Sequence, residues 1–273
     1  MPKTVLITGS SSGVGEATAK LFAEQGFNVI ATMRAPEKNN RLDGIANLIK
    51  TKLDVEDIHS IESAIFEGID AFGKIDLVIN NAGFGQYGVF EGIPIEKIRK
   101  NFDVNLFGVM NVMQQIVPIF RQQGGGIILN VSSCGGIIGL PLISIYASTK
   151  FALEGFLESV SYELASQNIV TKIYEPGGII SPFHERSAHE NTGTNGITSY
   201  DTFADNVNNA MQKMGQGAAT VEQVAQDIYL AATDGTDRLR YCAPYGVENL
   251  VKARRELGND AYEKYARTQL PTK

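Results

Sequence analysis

Val5-Leu6-Ile7, then Thr8-Gly9-Ser10-Ser11-Ser12-Gly13-Val14-Gly15, then Ala17 to Gln25 is the stretch whose reading decides the fold. The apolar trio makes the heart of a short strand. The glycines serve where the chain turns tightly, where backbone must approach a bound group, and where helix and strand pack with no Cβ between them. Ala17 to Gln25 carries helical patterning and is stopped by Gly26. A helix entered straight from such a turn offers unpaired N–H groups and a partial positive charge to a phosphate. Gly9, Ser11, Ser12 and Val14 are the contacts expected to hold a dinucleotide there.

The same rhythm continues outward. Short apolar runs occur at Val5 to Ile7, Asn28 to Thr32, Leu48 to Leu53, Leu77 to Ile79, Ile127 to Val131, Ile169 to Tyr174 and Leu239 to Cys242. Continuous hydrophobicity marks strands buried on both faces, as in a parallel sheet. Helical patterns lie between them, including Ile58 to Phe72 closed by Gly73, and an apolar stripe Leu153, Leu157, Val160, Leu164 that reaches back to Tyr146. Strand and helix alternate, which predicts right-handed crossovers and a Rossmann-type, doubly wound α/β sheet of about seven parallel strands with helices on both faces. No repeat or linker divides the 273 residues, so one domain over 1–273 is expected. Ser181 to Tyr200 breaks the rhythm and reads as a mobile loop leading into a helix at about Asp201 to Met214, a substrate-binding segment at about 181–215.

Composition excludes several classes of function. With 43% hydrophobic and 20% charged residues the chain has material for a large core, so disorder is excluded. A net charge of −6 without a Lys/Arg cluster argues against nucleic acid. No apolar window reaches the ~20 residues of a membrane span. Cys134 and Cys242 have no metal-like spacing and read as buried thiols in a reducing compartment. No signal-peptide pattern precedes Val5, and the cytoplasm is the expected location.

At the end of the second run, Ala31-Thr32-Met33-Arg34 has no carboxylate where an NAD site would bind both ribose hydroxyls. Arg34 offers instead a donor fork suited to the 2′-phosphate of NADP(H), with NAD(H) the lesser alternative. Tyr146 and Lys150 lie four apart on the strongest helix, so their side chains can meet, and an ammonium beside a phenol favours proton chemistry. Asn130-Val131-Ser132-Ser133 and Asn80-Asn81-Ala82-Gly83 both end strands at the carboxyl edge, where open α/β sheets bind ligands.

Taken in order, the glycine turn, Leu53-Asp54-Val55, Asn80-Asn81-Ala82-Gly83, Asn105, Ser133, Tyr146, Lys150 and Pro176-Gly177 followed by Ser181 resemble the short-chain dehydrogenase/reductase family over nearly the whole chain. The resemblance selects Ser133 over Ser132 by its spacing of thirteen from Tyr146. It implies that Tyr146 is the general acid or base, that Ser133 orients the substrate oxygen, that Lys150 binds the nicotinamide ribose and lowers the Tyr146 pKa, and that Asn105 holds a relay water. It further implies that Asp54, with Val55 and Asn81, meets adenine, and that Ile179 and Ser181 meet the carboxamide. Two departures stand out: Ser181 replaces the usual Thr, and Glu175 precedes Pro176 where Asn is frequent. Likeness to the steroid-, retinol- and carbonyl-reducing branch implies an apolar ketone, aldehyde or secondary alcohol, and a homodimer or homotetramer formed through the helices holding Asn105 and Tyr146. No metal site is expected.

The remaining candidates read more plainly. His59 is expected exposed at a helix start, His184 and His189 sit in the substrate loop, and Phe183 and Phe203 flank it as pocket or core. The competing functions are a catalytically silent dinucleotide-binding sensor or scaffold, an NAD-dependent alcohol dehydrogenase, and a sugar-nucleotide epimerase or dehydratase. The intact Ser133, Tyr146 and Lys150 oppose the first; the glycine spacing and lack of a larger substrate domain oppose the last.

Overall fold

Each of the seven apolar runs forms a strand. In chain order the computed structural model, which describes residues 2–181, 183, 187 and 190–272, has β1 (Thr4–Ile7), β2 (Asn28–Met33), β3 (Leu48–Lys52), β4 (Leu77–Asn80), β5 (Gly126–Val131), β6 (Ile169–Pro176), β7 (Ile179–Ile180), β8 (Ala219–Thr220) and β9 (Arg240–Ala243). Seven of them make a parallel sheet in the order β3-β2-β1-β4-β5-β6-β9, so the strand order reverses direction between β1 and β4. Ligands of such sheets bind at the carboxyl ends beside that reversal. The fold is the expected Rossmann-type α/β arrangement.

Packing explains the sheet. Strand residues alternate between faces: Leu6, Ile30, Val78 and Ile128 join one apolar cluster, while Val5, Ile7, Val29, Leu77 and Leu129 join another. The first cluster is covered by α2 (Ile58–Phe72), α4 (Gly108–Gln122) and α5 (Ser144–Ala165), which contribute Ile61, Val112, Ile116, Leu153 and Leu157. The second is covered by α1 (Gly13–Glu24) and α7 (Val221–Thr233), through Phe22, Val224 and Ile228. The short α3 (Ile95–Phe102) precedes α4; α6 (Asp201–Met214), α8 (Glu248–Glu256) and α9 (Asn259–Gln269) follow β7. Among the described residues no helix is long and apolar enough to cross a membrane.

Four features depart from the sequence expectation. Helix α1 begins at Gly13, four residues before Ala17, because the glycine turn itself supplies its first turn. Continuous burial holds for β1 and β4 but not for β3 or β9, which lie at the sheet edges and keep one flank open. The two-residue ladder of β7 and β8 is too short to leave a hydrophobic signature. The segment expected as a mobile loop is, where described, stitched to residues 85–92: Gly85 N donates to Ser187 Oγ (2.9 Å), Thr192 N to the Tyr87 carbonyl (2.9 Å) and Val89 N to the Gly193 carbonyl (2.8 Å). His184 and His189 lie outside the described residues.

Candidate active site

The turn after β1 is shaped as an anion cradle. Gly9 and Gly13 take positive φ values of 71° and 60°, and a Cβ on Gly15 would fall 2.4 Å from the Gly9 carbonyl and 2.5 Å from Asn81 Nδ2. Ser12 occupies the N-cap of α1, yet its hydroxyl makes no capping bond and is buried without a partner. A buried orphan hydroxyl at a helix N-terminus is a binding group in waiting. Thr8 fixes the turn to the neighbouring strand end: its Oγ1 accepts from the main-chain N–H groups of Asn81 and Ala82, each at 3.0 Å. These observations fit a dinucleotide pyrophosphate.

At the ribose end, Arg34 is exposed and has no side-chain partner among the described residues. A second cation that the sequence reading missed lies beside the cradle. Arg41 donates to the Ser11 carbonyl at 2.5 Å and pairs with Glu16 of α1 at 3.1 Å. Asn39 Nδ2 donates to the same Ser11 carbonyl at 3.0 Å. Asp54 is half-buried and accepts from Glu56 N (3.2 Å), whereas Val55 is buried against Gly108. The Asn81 amide is spent on the turn, donating to the Thr8 (2.9 Å) and Gly9 (3.2 Å) carbonyls. It therefore builds the cradle as much as it faces it.

Ser133, Tyr146 and Lys150 converge as expected. Ser133 Oγ accepts from Gly135 N at 3.0 Å, which leaves its proton to donate, and the two side chains of Ser133 and Tyr146 meet over Gly135, where a Cβ would lie 3.4 Å from both Ser133 Oγ and Tyr146 Cε1. Lys150 is buried, donates to the Val131 carbonyl at 2.9 Å and holds its Nζ 5.8 Å from the Tyr146 ring centre. Burial pushes Tyr146 up to about 12, outweighing the nearby Ser133 hydroxyl, which lowers it. Burial also pushes Lys150 down to about 8, with the Glu154 charge opposing it.

Asn105 lies in a π-helical turn, Asp103–Phe107, the kind of bulge that recurs at functional sites. Its Oδ1 accepts from Phe84 N (3.0 Å), and its Nδ2 donates to the Phe84 carbonyl (2.9 Å) and to Thr149 Oγ1 (3.3 Å). Thr149 in turn donates to the Tyr146 carbonyl at 2.7 Å, so Asn105 braces the helix that carries Tyr146.

Beyond β6, Gly177 is irreplaceable, since a Cβ there would lie 2.3 Å from the Tyr245 carbonyl. Ile179 pairs with Ala219 in the small ladder, and Ser181 Oγ accepts from Phe183 N at 3.3 Å. Phe183 sets its ring edge-on to Tyr146 with centres 6.1 Å apart, which brings the start of the 181–215 segment to the Tyr146 phenol. Phe203 packs beside Val89, Leu142, Ala204 and Val207. His59 is exposed and faces only Glu62.

Glu175 has an account that the sequence could not supply. Its carboxylate is buried and held by Arg240 (3.3 Å) and Arg255 (3.0 Å). Cys134 and Cys242 are free thiols beside it: Cys134 is buried and its Sγ donates to the Glu175 carbonyl at 3.5 Å, whereas Cys242, expected buried, is half-buried and stands opposite Glu175 in the β6–β9 ladder. Among the described residues no cluster of His, Cys, Asp and Glu could hold a metal.

Comparison with known proteins agrees with this geometry. The family described as short chain dehydrogenase matches residues 3–192. The uncharacterized oxidoreductase YusZ of Bacillus subtilis is 36% identical over 255 residues, covering 90% of each chain. Retinol dehydrogenase 8 of Bos taurus is 35% identical over 193 residues, covering 67% of this chain and 61% of its own. The solved structure of ElxO with NADP bound superposes with a TM-score of 0.75 at 25% identity, covering 90% of this chain and 98% of that one.

Proposed function

The chain belongs to the short chain dehydrogenase family, and from that premise we propose that it is an NADP(H)-dependent oxidoreductase that reduces an apolar ketone or aldehyde, or oxidises the corresponding secondary alcohol. The observation that carries this is the meeting of Ser133, just past the carboxyl end of β5, with Tyr146 and Lys150 in the first turns of α5, across the strand reversal from the glycine cradle.

The nicotinamide dinucleotide, when bound, supplies or receives the hydride. Gly9, Ser11, Ser12 and Val14 would seat its pyrophosphate, Asp54, Val55 and Asn81 its adenine side, and Ile179 and Ser181 its carboxamide. Ser133 Oγ already accepts from Gly135 N, so its one hydroxyl proton would be available to a substrate oxygen. Tyr146 Oη hands its proton to that oxygen as negative charge builds there. A phenol held near 12 stays protonated through the neutral range and so is in the form that can act as the acid in reduction. Lys150 spends one of its three N–H donors on the Val131 carbonyl and keeps two for a ribose hydroxyl and the phenol. A relay water on Asn105 would use its main-chain carbonyl or the remaining lone pair of Oδ1, since its amide is engaged.

The preference for NADP(H) is supported by the unpartnered Arg34, by Arg41 at the Ser11 carbonyl, and by the NADP in the ElxO neighbour. The apolar substrate class is supported by the likeness to retinol dehydrogenase 8 and by Phe183 against Tyr146. We further read 181–215 as the substrate segment of one domain. Self-association through α4 and α5 is supported by the exposed Phe107 and Phe151, and the free cysteines suit a cytoplasmic setting.

Incubating the protein with a panel of apolar ketones and NADPH, and following the absorbance of the reduced cofactor, tests the reading. Oxidation of NADPH that requires a ketone is the expected result. Tight cofactor binding with no turnover across the panel would favour a silent sensor. Turnover confined to NADH or NAD would place the enzyme with the NAD-dependent alcohol dehydrogenases.

A further inference from the structure

Beneath Lys150 runs a chain of charges, buried at Glu154 and Glu175 and opening to solvent at Arg240 and Arg255, that the proton transfer described above does not use. Glu154 stands one helical turn after Lys150 on α5, and its side chain is buried. Gly136 binds this region together: a Cβ on it would lie 2.8 Å from Glu154 Cγ, 3.1 Å from the Lys150 carbonyl and 3.1 Å from Ser132 Oγ. Arg240, reaching in from the edge strand β9, lies 3.3 Å from Glu154, 3.3 Å from Glu175 and 2.6 Å from Glu158. Arg255 of α8 grips the other Glu175 oxygen at 3.0 Å. The result is a row of alternating sign, Lys150, Glu154, Arg240, Glu175, Arg255, running from the catalytic helix through two strands to a C-terminal helix.

Such a row has a reason to exist if one member must stay charged out of water. A buried ammonium loses hydration, and its single protein acceptor, the Val131 carbonyl, carries no formal charge. A carboxylate one turn away offsets that loss only if it is itself ionised. Burial acts against the Glu154 carboxylate too, and Arg240 opposes it. Arg240 in turn is fixed by Glu175, the carboxylate that replaces the family's usual Asn.

We propose that Glu154 is a positioning residue for the reaction: tied through Arg240 to Glu175, it keeps the Lys150 ammonium charged in its buried seat and so keeps a cation beside the Tyr146 phenol. This rests on the catalytic reading given above. The groups facing Glu154 are Lys150 and Glu158 on its own helix, Ser132 at the end of β5, Glu175 on β6 and Arg240 on β9; Arg255 and the Cys134 and Cys242 thiols face Glu175.

The pH profile of kcat/KM for ketone reduction separates this role from a merely structural one. In the wild-type enzyme the alkaline limb should fall as Lys150 gives up its proton, near its value of about 8. Glu154→Gln should carry that limb downward by about one pH unit, since an opposite charge at this range favours the charged form by that order. Glu154→Asp, which keeps the charge, should return it most of the way. A Glu154→Gln enzyme that melts like wild type and loses rate evenly at every pH, with the limb unmoved, overturns the proposal. Should Glu154→Gln fail to fold because Arg240 loses a buried partner, the same limb is compared between Arg240→Gln and Glu154→Gln/Arg240→Gln, where the unpaired cation is gone; a lower limb in the double variant supports the role and an equal one overturns it. A wild-type protein inactive on every ketone and alcohol would bring down the catalytic reading itself, a result distinct from an active enzyme with an unmoved limb.

Discussion

The cradle after β1 and the edge at β5 and α5, where we propose the proton transfer, lie at the same end of the sheet but are made of opposite materials. The cradle works with glycines, the orphan hydroxyl of Ser12, main-chain groups pinned by Thr8 and Asn81, and a helix N-terminus. The edge works with ionisable groups: the buried Lys150, Glu154 and Glu175, and the half-buried Arg240. The difference follows from what each must do. An anion that arrives with its own fixed charge needs only oriented dipoles, which cost little to keep dry. A proton that moves needs a partner whose charge changes, and burying such a group requires counter-charges around it.

The sharpest way to break the comparison is to disable one side and find the other untouched. Tyr146→Phe removes the proton donor while leaving the ring that packs against Phe183. We expect kcat for ketone reduction to fall by ~10²–10⁴, the usual weight of a general acid. NADPH affinity, followed by fluorescence titration, should stay at its wild-type value. Residual turnover near that of the wild type would hand the proton to another group and dissolve the assignment of this edge.

The reverse experiment is Gly15→Ala. Its new Cβ would meet the Gly9 carbonyl at 2.4 Å, a backbone atom that cannot swing away, so turn and helix must part. An overpacked site of this kind costs ~1–3 kcal/mol, which should appear as a lower Tm together with about tenfold or greater loss of NADPH affinity. Gly139→Ala serves as the control, because nothing lies within 4 Å of a Cβ there. If both variants bind and melt alike, close approach of α1 to β1 is not what the cradle depends on.

The same contrast governs what could be read from residue order. The cradle is contiguous, so its glycine spacing and its place between strand and helix were legible, as were all seven sheet strands and the convergence of Ser133, Tyr146 and Lys150. The charge row was not. Glu154 could have been found, since it repeats the four-residue step from Tyr146 to Lys150 once more along α5. Arg240, Glu175 and Arg255 come from three elements distant in sequence, and no local pattern announces which carboxylate an arginine will meet. Arg41 escaped for a related reason: it stands in an irregular stretch before β3, and only the folded chain brings it to Ser11 and Glu16. The upward push on the Tyr146 phenol was likewise not legible, because desolvation depends on what covers a group and not on which neighbour it has in sequence.

The smallest expected effect lies at the rim of the cradle, where a charge is used in the open. Arg34 is exposed, so its contact with a 2′-phosphate is screened, and the ~1.5–3 kcal/mol of a charged hydrogen bond must be discounted toward ~1 kcal/mol. Arg34→Ala should therefore raise KM for NADPH by about three- to tenfold and leave KM for NADH nearly unchanged. Equal effects on the two cofactors would remove Arg34 from the phosphate site. Arg41 then becomes the residue to examine, because its guanidinium already sits on the Ser11 carbonyl. Arg41→Ala also costs Glu16 an ion-pair partner, so its effect on NADPH must be judged against its effect on NADH and on Tm before it is assigned to the phosphate. If Arg41→Ala discriminates between the cofactors and Arg34→Ala does not, the phosphate seat belongs to a residue that only the fold brings into place, and the rim of the cradle would share the long-range character of the catalytic edge.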